Sequence, residues 1–120
     1  MRVALVSPDL LFGSRIASLV ESAGAELQRI DHPGDLPLPE EVSVVLVDWA
    51  YRTSTWAQLL HSWAANSSRA DSPPRVVLFG PHTDLTAHAE ARSGGLGPMW
   101  ARSRLLADLP QLLAQAAGRA

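Results

Sequence analysis

Val42-Ser43-Val44-Val45-Leu46-Val47-Asp48-Trp49-Ala50 is a run of branched apolar residues that ends in a carboxylate. β-branched side chains suit a strand. Continuous rather than alternating apolar character suits a strand covered on both faces, as in the middle of a parallel sheet flanked by helices. Asp48 then stands at the carboxyl end of a central strand, the edge where open α/β sheets carry their sites. The same carboxylate also reads as a simple strand stop or a cap for the next turn, so the stretch speaks to architecture before function.

Working outward, Arg2–Val6 reads as a first strand, and Ser7-Pro8-Asp9 as a helix start with Ser7 as N-cap and Pro8 at the first helical position. That helix carries Leu10, Leu11, Ile16, Leu19 and Val20 and stops at Gly24. Glu26–Ile30 reads as a second strand. The prolines at 33, 37 and 39 argue against a regular helix before the central strand. After it, Thr53 or Ser54 caps a helix with Trp56, Leu59, Leu60 and Trp63 on one face, read as core. Asn66–Pro74 reads as a polar loop and Arg75–Gly80 as a buried strand. Thr83 or Asp84 starts an alanine-rich helix through Arg92, stopped by Gly94-Gly95. Gly97–Arg102 reads as a short last strand centred on Met99 and Trp100. Ser103 caps a final helix with Leu105, Leu106, Leu109, Leu112 and Leu113, which Pro110 should bend or start later. The alternation implies one doubly wound parallel sheet, a single domain over residues 1–120.

The 120 residues, 47% of them hydrophobic, support one core and argue against disorder. The net charge of −2 with scattered basic residues gives no nucleic-acid footprint. All ten basic residues are arginine, so lysine chemistry is absent, and without cysteine there is no disulfide or thiolate. His32, His61, His82 and His88 lack zinc-site spacing. No apolar run is of membrane-spanning length and the N-terminus does not read as a signal peptide, so a cytoplasmic protein is expected.

With these elements in place, the chain resembles the receiver domains of bacterial response regulators, the CheY-like group of the flavodoxin-like fold. The resemblance runs over nearly the whole chain. It rests on the five-strand order, on Val45-Leu46-Val47-Asp48-Trp49, on Gly94-Gly95-Leu96-Gly97 before the fifth strand and on the leucine-rich last helix. It implies strand order 2-1-3-4-5 and places the phosphorylated aspartate of the family on Asp48, while the prolines at 33, 37 and 39 leave the second helix shortened or absent, a departure from the family. The acidic pair that holds magnesium falls on Ser7 and Pro8, with Asp9 one residue further on. Ser7 and Pro8 cannot supply the carboxylate oxygens magnesium prefers. The hydroxyl residue after the fourth strand falls on Gly80, which offers only a backbone N–H. The lysine ending the fifth strand falls on Arg102, and the switch aromatic on Met99 with Trp100 beside it. The resemblance is therefore to a degenerate receiver, or pseudo-receiver, with weak or no magnesium binding, no other cofactor and no enzymatic activity.

Gly94-Gly95-Leu96-Gly97 follows a helix and precedes a strand, the reverse of a dinucleotide-binding loop. His82, at the expected site rim, is a pH-sensitive group in waiting. Two main functions follow. One is a non-enzymatic module that docks a protein partner, or a second copy as a homodimer, through the helix after strand four, the fifth strand and the last helix. Met99 or Trp100 would face outward there, beside surplus leucines of the last helix. The other is an atypical response regulator still phosphorylated on Asp48 by a histidine kinase. A small-ligand flavodoxin-like binder is a weaker third. No nucleic acid or membrane partner is expected.

Overall fold

The computed structural model describes residues 1–67 and 73–118. Five parallel strands, β1 (Arg2–Val6), β2 (Glu26–Ile30), β3 (Val44–Asp48), β4 (Arg75–Phe79) and β5 (Met99–Trp100), lie in the order β2-β1-β3-β4-β5. Helices α1 (Leu10–Ser22), α2 (Trp56–Ala65), α3 (Leu85–Ser93) and α4 (Arg102–Ala117) cover both faces. This is the doubly wound α/β architecture read from the sequence.

Strand periodicity sorts the core into two layers. Val3, Leu5, Val44, Leu46, Val77, Phe79 and Trp100 pack with Phe12, Ile16 and Val20 of α1 and with Leu105, Leu109, Leu112 and Leu113 of α4. Ala4, Val6, Val45, Val47, Leu78 and Met99 pack on the other face with Trp56 and Leu60 of α2 and Ala87 and Ala91 of α3. All five residues of β3 are buried, which explains its unbroken apolar run. The same alternation puts Asp48 in phase with Val44 and Leu46, on the side of α1 and α4.

The segment between β2 and β3 contains two single 3₁₀ turns, Pro33–Asp35 and Pro39–Glu41, and no α-helix. Each turn starts on a proline, whose preset φ fits the first helical position while its missing N–H opposes propagation. The segment is fastened to α2 by the Trp63 Nε1–H, which donates to the Pro37 carbonyl at 2.7 Å. Gly94 lies against α2 so closely that a Cβ there would sit 2.8 Å from Ala57. The light, alanine-rich α3 and this glycine let the two helices meet.

Several local expectations need correction. The N-cap of α1 is Asp9, whose Oδ1 accepts from the Phe12 N–H at 3.0 Å, and not Ser7. Ser7 is instead drawn to the sheet edge by Asp48. Leu10 and Leu11 fall on the outer side of the first turn and are exposed, while Phe12 takes the inward position. The helix after β3 starts at Trp56, later than a Thr53 or Ser54 cap would give, and Leu59 lies outside its buried face. Helix α4 starts at Arg102, with Ala101 at its cap rather than Ser103, and runs through Pro110, which is exposed. The strand read at Gly97–Arg102 shrinks to Met99–Trp100. Residues 68–72 of the expected loop Asn66–Pro74 lie outside the described residues.

Candidate functional site

Asp48 ends β3 with its side chain fully buried. Its register partner on β4 is Phe79, the last residue before Gly80. Beside it, β1 ends at Val6 and hands the chain to Ser7. Three donors converge on the carboxylate. Ser7 Oγ donates to Oδ2 at 2.8 Å, Arg102 Nη2 donates to the same oxygen at 2.8 Å, and the Ala50 N–H donates to Oδ1 at 3.3 Å. Both oxygens are therefore engaged within the protein.

Arg102 is the hub. Its Nη1 donates to Asp9 Oδ2 at 2.9 Å while Nη2 holds Asp48, so one guanidinium bridges two carboxylates. The guanidinium carbon lies 4.6 Å from the Phe12 ring centroid and 5.9 Å from that of Phe79. The two rings themselves pack at 5.2 Å. A planar, delocalised cation suits such aromatic walls and a two-pronged contact better than an ammonium would. Asp9 in turn is fixed by its cap to Phe12, so the helix start that positions the carboxylate also positions one wall.

The charges respond to these surroundings. Burial pushes the Asp48 carboxyl above the ordinary carboxylate range, against the downward pull of the Ser7 hydrogen bond and the Arg102 charge. Asp9 is lowered, first by the Phe12 N–H and then by Arg102. For Arg102 burial acts downward, but the Asp9 hydrogen bond and the charges of Asp48 and Asp9 outweigh it and leave the group raised.

The site residues named from sequence separate into two groups. Ser7, Asp9, Asp48 and Arg102 are brought together in one network. Pro8 is exposed and makes no part of it. Gly80 abuts the site: at φ +130° it adopts a backbone that side chains rarely take, and a Cβ there would lie 3.3 Å from the Ala50 nitrogen and 3.5 Å from Asp48 Oδ1. Its N–H, expected to be an available donor, is spent on the Trp100 carbonyl at 3.0 Å. Phe12, Phe79 and Ala50 were not read as site residues from the sequence. Phe79 could have been, since a strand end beside β3 must face the same edge. Ala50 contributes only a backbone N–H, which leaves no side-chain signal. His82 lies at the rim and is exposed, with its N–H turned back to the Gly80 carbonyl at 2.7 Å.

These residues do not fit a magnesium site. Magnesium requires near-octahedral oxygen ligands. Here the oxygens of Asp9 and Asp48 already accept from Phe12, Arg102, Ser7 and Ala50, and a guanidinium lies between the two carboxylates. Among the described residues no three His, Cys, Asp or Glu side chains gather in a metal-binding group.

One premise of the expected docking face, an outward-facing Met99 or Trp100 beside surplus leucines, needs correction. Met99 and Trp100 do point to opposite faces of the sheet, yet both are buried, 6% and 8% exposed, because α3 covers one side and α4 the other. The leucines of α4 point inward, with Leu106 half-buried. The exposed large apolar side chains include instead Leu10 (73%), Leu11 (84%) and Leu85 (83%). They stand at the starts of α1 and α3, the helices that follow β1 and β4, and so lie toward the carboxyl edge of the sheet, on its two opposite faces. Tyr51, also exposed, follows β3 itself and is close enough to bear on the charge of Arg102.

No protein-family model matches the chain, and no curated protein matches it in sequence. Solved structures do share its fold. A CheY-like response regulator receiver domain protein from Methanospirillum hungatei superposes with a TM-score of 0.71 at 13% identity, over 99% of this chain and 98% of that one. A response regulator protein from Burkholderia multivorans gives 0.72 at 18% identity, over 97% and 94%. A candidate pilus assembly-related protein from Burkholderia pseudomallei gives 0.72 at 14% identity, over 99% and 90%. The fold is thus that of the receiver domains.

Proposed function

We propose that the protein is a receiver-like signalling module that acts by docking a protein partner rather than by magnesium-dependent phosphoryl transfer: a pseudo-receiver. The observation that carries this reading is the closed state of Asp48. A phosphoacceptor must present a free oxygen to an incoming phosphoryl group, with cations to offset charge on the transferred oxygens. Asp48 is buried with both oxygens taken, its cation is pinned by Asp9, and the neighbouring Gly80 has neither a hydroxyl nor a spare N–H. Arg102 supplies permanently the cationic contact that would otherwise report phosphorylation.

Output then depends on surface. Leu10 and Leu11, adjacent and exposed on the first turn of α1, are the natural docking residues, since adjoining exposed large apolar side chains mark contact sites. The use of this fold in a protein described by pilus assembly fits a role in docking. The reading predicts that Asp48→Asn leaves partner capture from the native host unchanged, while Leu10→Ser with Leu11→Ser abolishes capture without lowering stability. Loss of capture in Asp48→Asn, with capture kept in the leucine variant, would favour the phosphorylated response regulator instead.

A further inference from the structure

Beside the edge strand β5, sharing no residue with the Asp48 network, an open groove of about 180 Å³ runs between Trp100 and the outer face of α4. Arg75, Arg104, Asp108, Gln111, Leu112 and Gln115 complete its walls. We propose that this groove is a binding site for a small oxyanion, the phosphate or carboxylate group of a small molecule, clasped between Arg75 and Arg104.

Two guanidiniums border one ring: Arg104 lies 4.2 Å from the Trp100 ring centroid and Arg75 lies 6.0 Å from it. Gathering like charges costs energy unless something negative offsets them. Among the described residues the acidic partner of Arg104 is the solvent-exposed Asp108, one helical turn away at 3.4 Å, and such pairs contribute little. Arg75 has no acidic partner among the described residues. The lining therefore carries a net positive charge, with one arginine unpaired and the other loosely paired. Guanidinium forks match the geometry of phosphate and carboxylate oxygens. The side-chain amides of Gln111 and Gln115 add donors one turn apart on the same face of α4. Trp100 and Leu112 are buried and form a firm apolar wall, so the arginines are presented from a rigid support. The volume is on the order of six water molecules, which suits a single phosphate or a short acid and not a large cofactor.

The test is a nuclear magnetic resonance titration of the intact chain at low ionic strength, with inorganic phosphate in one arm, acetate in a second and sodium chloride as control. The proposal expects saturable shifts at the Trp100 indole and at the Gln111 and Gln115 amides with phosphate, acetate or both, and not with chloride. The arm that saturates identifies the ligand group. Asp108→Asn releases Arg104 and removes a negative charge from the lining, and should tighten binding by at most about fivefold, the upper end for an exposed pair. Arg75→Gln should abolish saturation while the rest of the spectrum stays folded, with Arg104→Gln as a second such variant. The absence of saturable shifts below about 10 mM phosphate or acetate would overturn the proposal. Equal shifts with chloride, or binding that survives both arginine variants, would do the same.

Discussion

Replacing Arg102 by methionine keeps an unbranched chain beside Phe12 and Phe79 but removes the guanidinium that stacks near both rings and bridges Asp9 and Asp48. Breaking a buried ion pair typically costs about 3–5 kcal/mol because the abandoned charge stays desolvated. Asp48 is fully buried, but 36% of the Arg102 side chain remains accessible, so solvent screens part of the interaction. Ser7 and Ala50 continue to donate to Asp48. The expected cost is therefore nearer 1–3 kcal/mol, the range for leaving a buried polar group short of a partner. In urea this lowers the unfolding midpoint by about 1 M, read from tryptophan fluorescence, to which the fully buried Trp49 contributes. The pH dependence carries the sign. The Asp48 carboxyl is already raised in the folded protein, so its contribution to stability is greatest below the unfolded value near 3.9 and declines as pH rises through the raised value. Removing Arg102 removes a downward influence and raises that value further. It also weakens the lowering of Asp9, whose contribution is present above the unfolded value. Both effects make the deficit of the variant small at pH 4 and larger at pH 8. In an Asp48→Asn background the deficit should shrink to under about 1 kcal/mol, because the buried charge is gone. Equal midpoints for parent and variant at pH 8, or a deficit independent of pH, would refute the ion-pair account.

Other substitutions test neighbouring parts. Gly80→Ala forces a side chain into φ +130° beside Asp48 and should cost about 1–3 kcal/mol in thermal unfolding. Gly94→Ala drives a Cβ into Ala57, so α2 and α3 must separate, and calorimetry should show a loss of about 1–3 kcal/mol. Trp63→Phe removes the bond to the Pro37 carbonyl; about 0.5–1.5 kcal/mol should be lost, with faster hydrogen exchange over residues 33–41. Magnesium titrated into the protein should produce no saturable change in tryptophan fluorescence at millimolar concentration, whereas saturation abolished by Asp48→Ala would contradict the absence of a fit.

The sheet was legible because β3 is covered on both faces and leaves a continuous apolar signature, and because glycines and prolines punctuate the remaining elements. Helix starts were less legible. Ser7-Pro8-Asp9 satisfies capping rules with either Ser7 or Asp9 as the cap. In the fold Asp9 caps Phe12 while the Ser7 hydroxyl accepts from the Asp9 N–H and donates to Asp48, a contact across 41 positions of sequence that no local rule anticipates. Arg102 and Asp48 could be paired from the expected topology, but the second carboxylate could not. Asp9 reads as a helix-start residue, and its bond to Arg102 spans 93 positions. The outward strand residue expected at Met99 or Trp100 failed for a simple reason. Alternation assigns side chains to faces, and in a doubly wound sheet neither face meets solvent. The leucines of α4 were likewise counted against a single inward stripe, whereas α4 packs on both α1 and the sheet.

The central claim, that Asp48 is closed to phosphoryl transfer by its own neighbours, is tested most directly by incubating the protein with magnesium and a small acyl-phosphate donor and measuring intact mass. The account predicts an unmodified chain for the parent at every time point. A gain of one phosphoryl group in the parent, lost in Asp48→Asn, would contradict it.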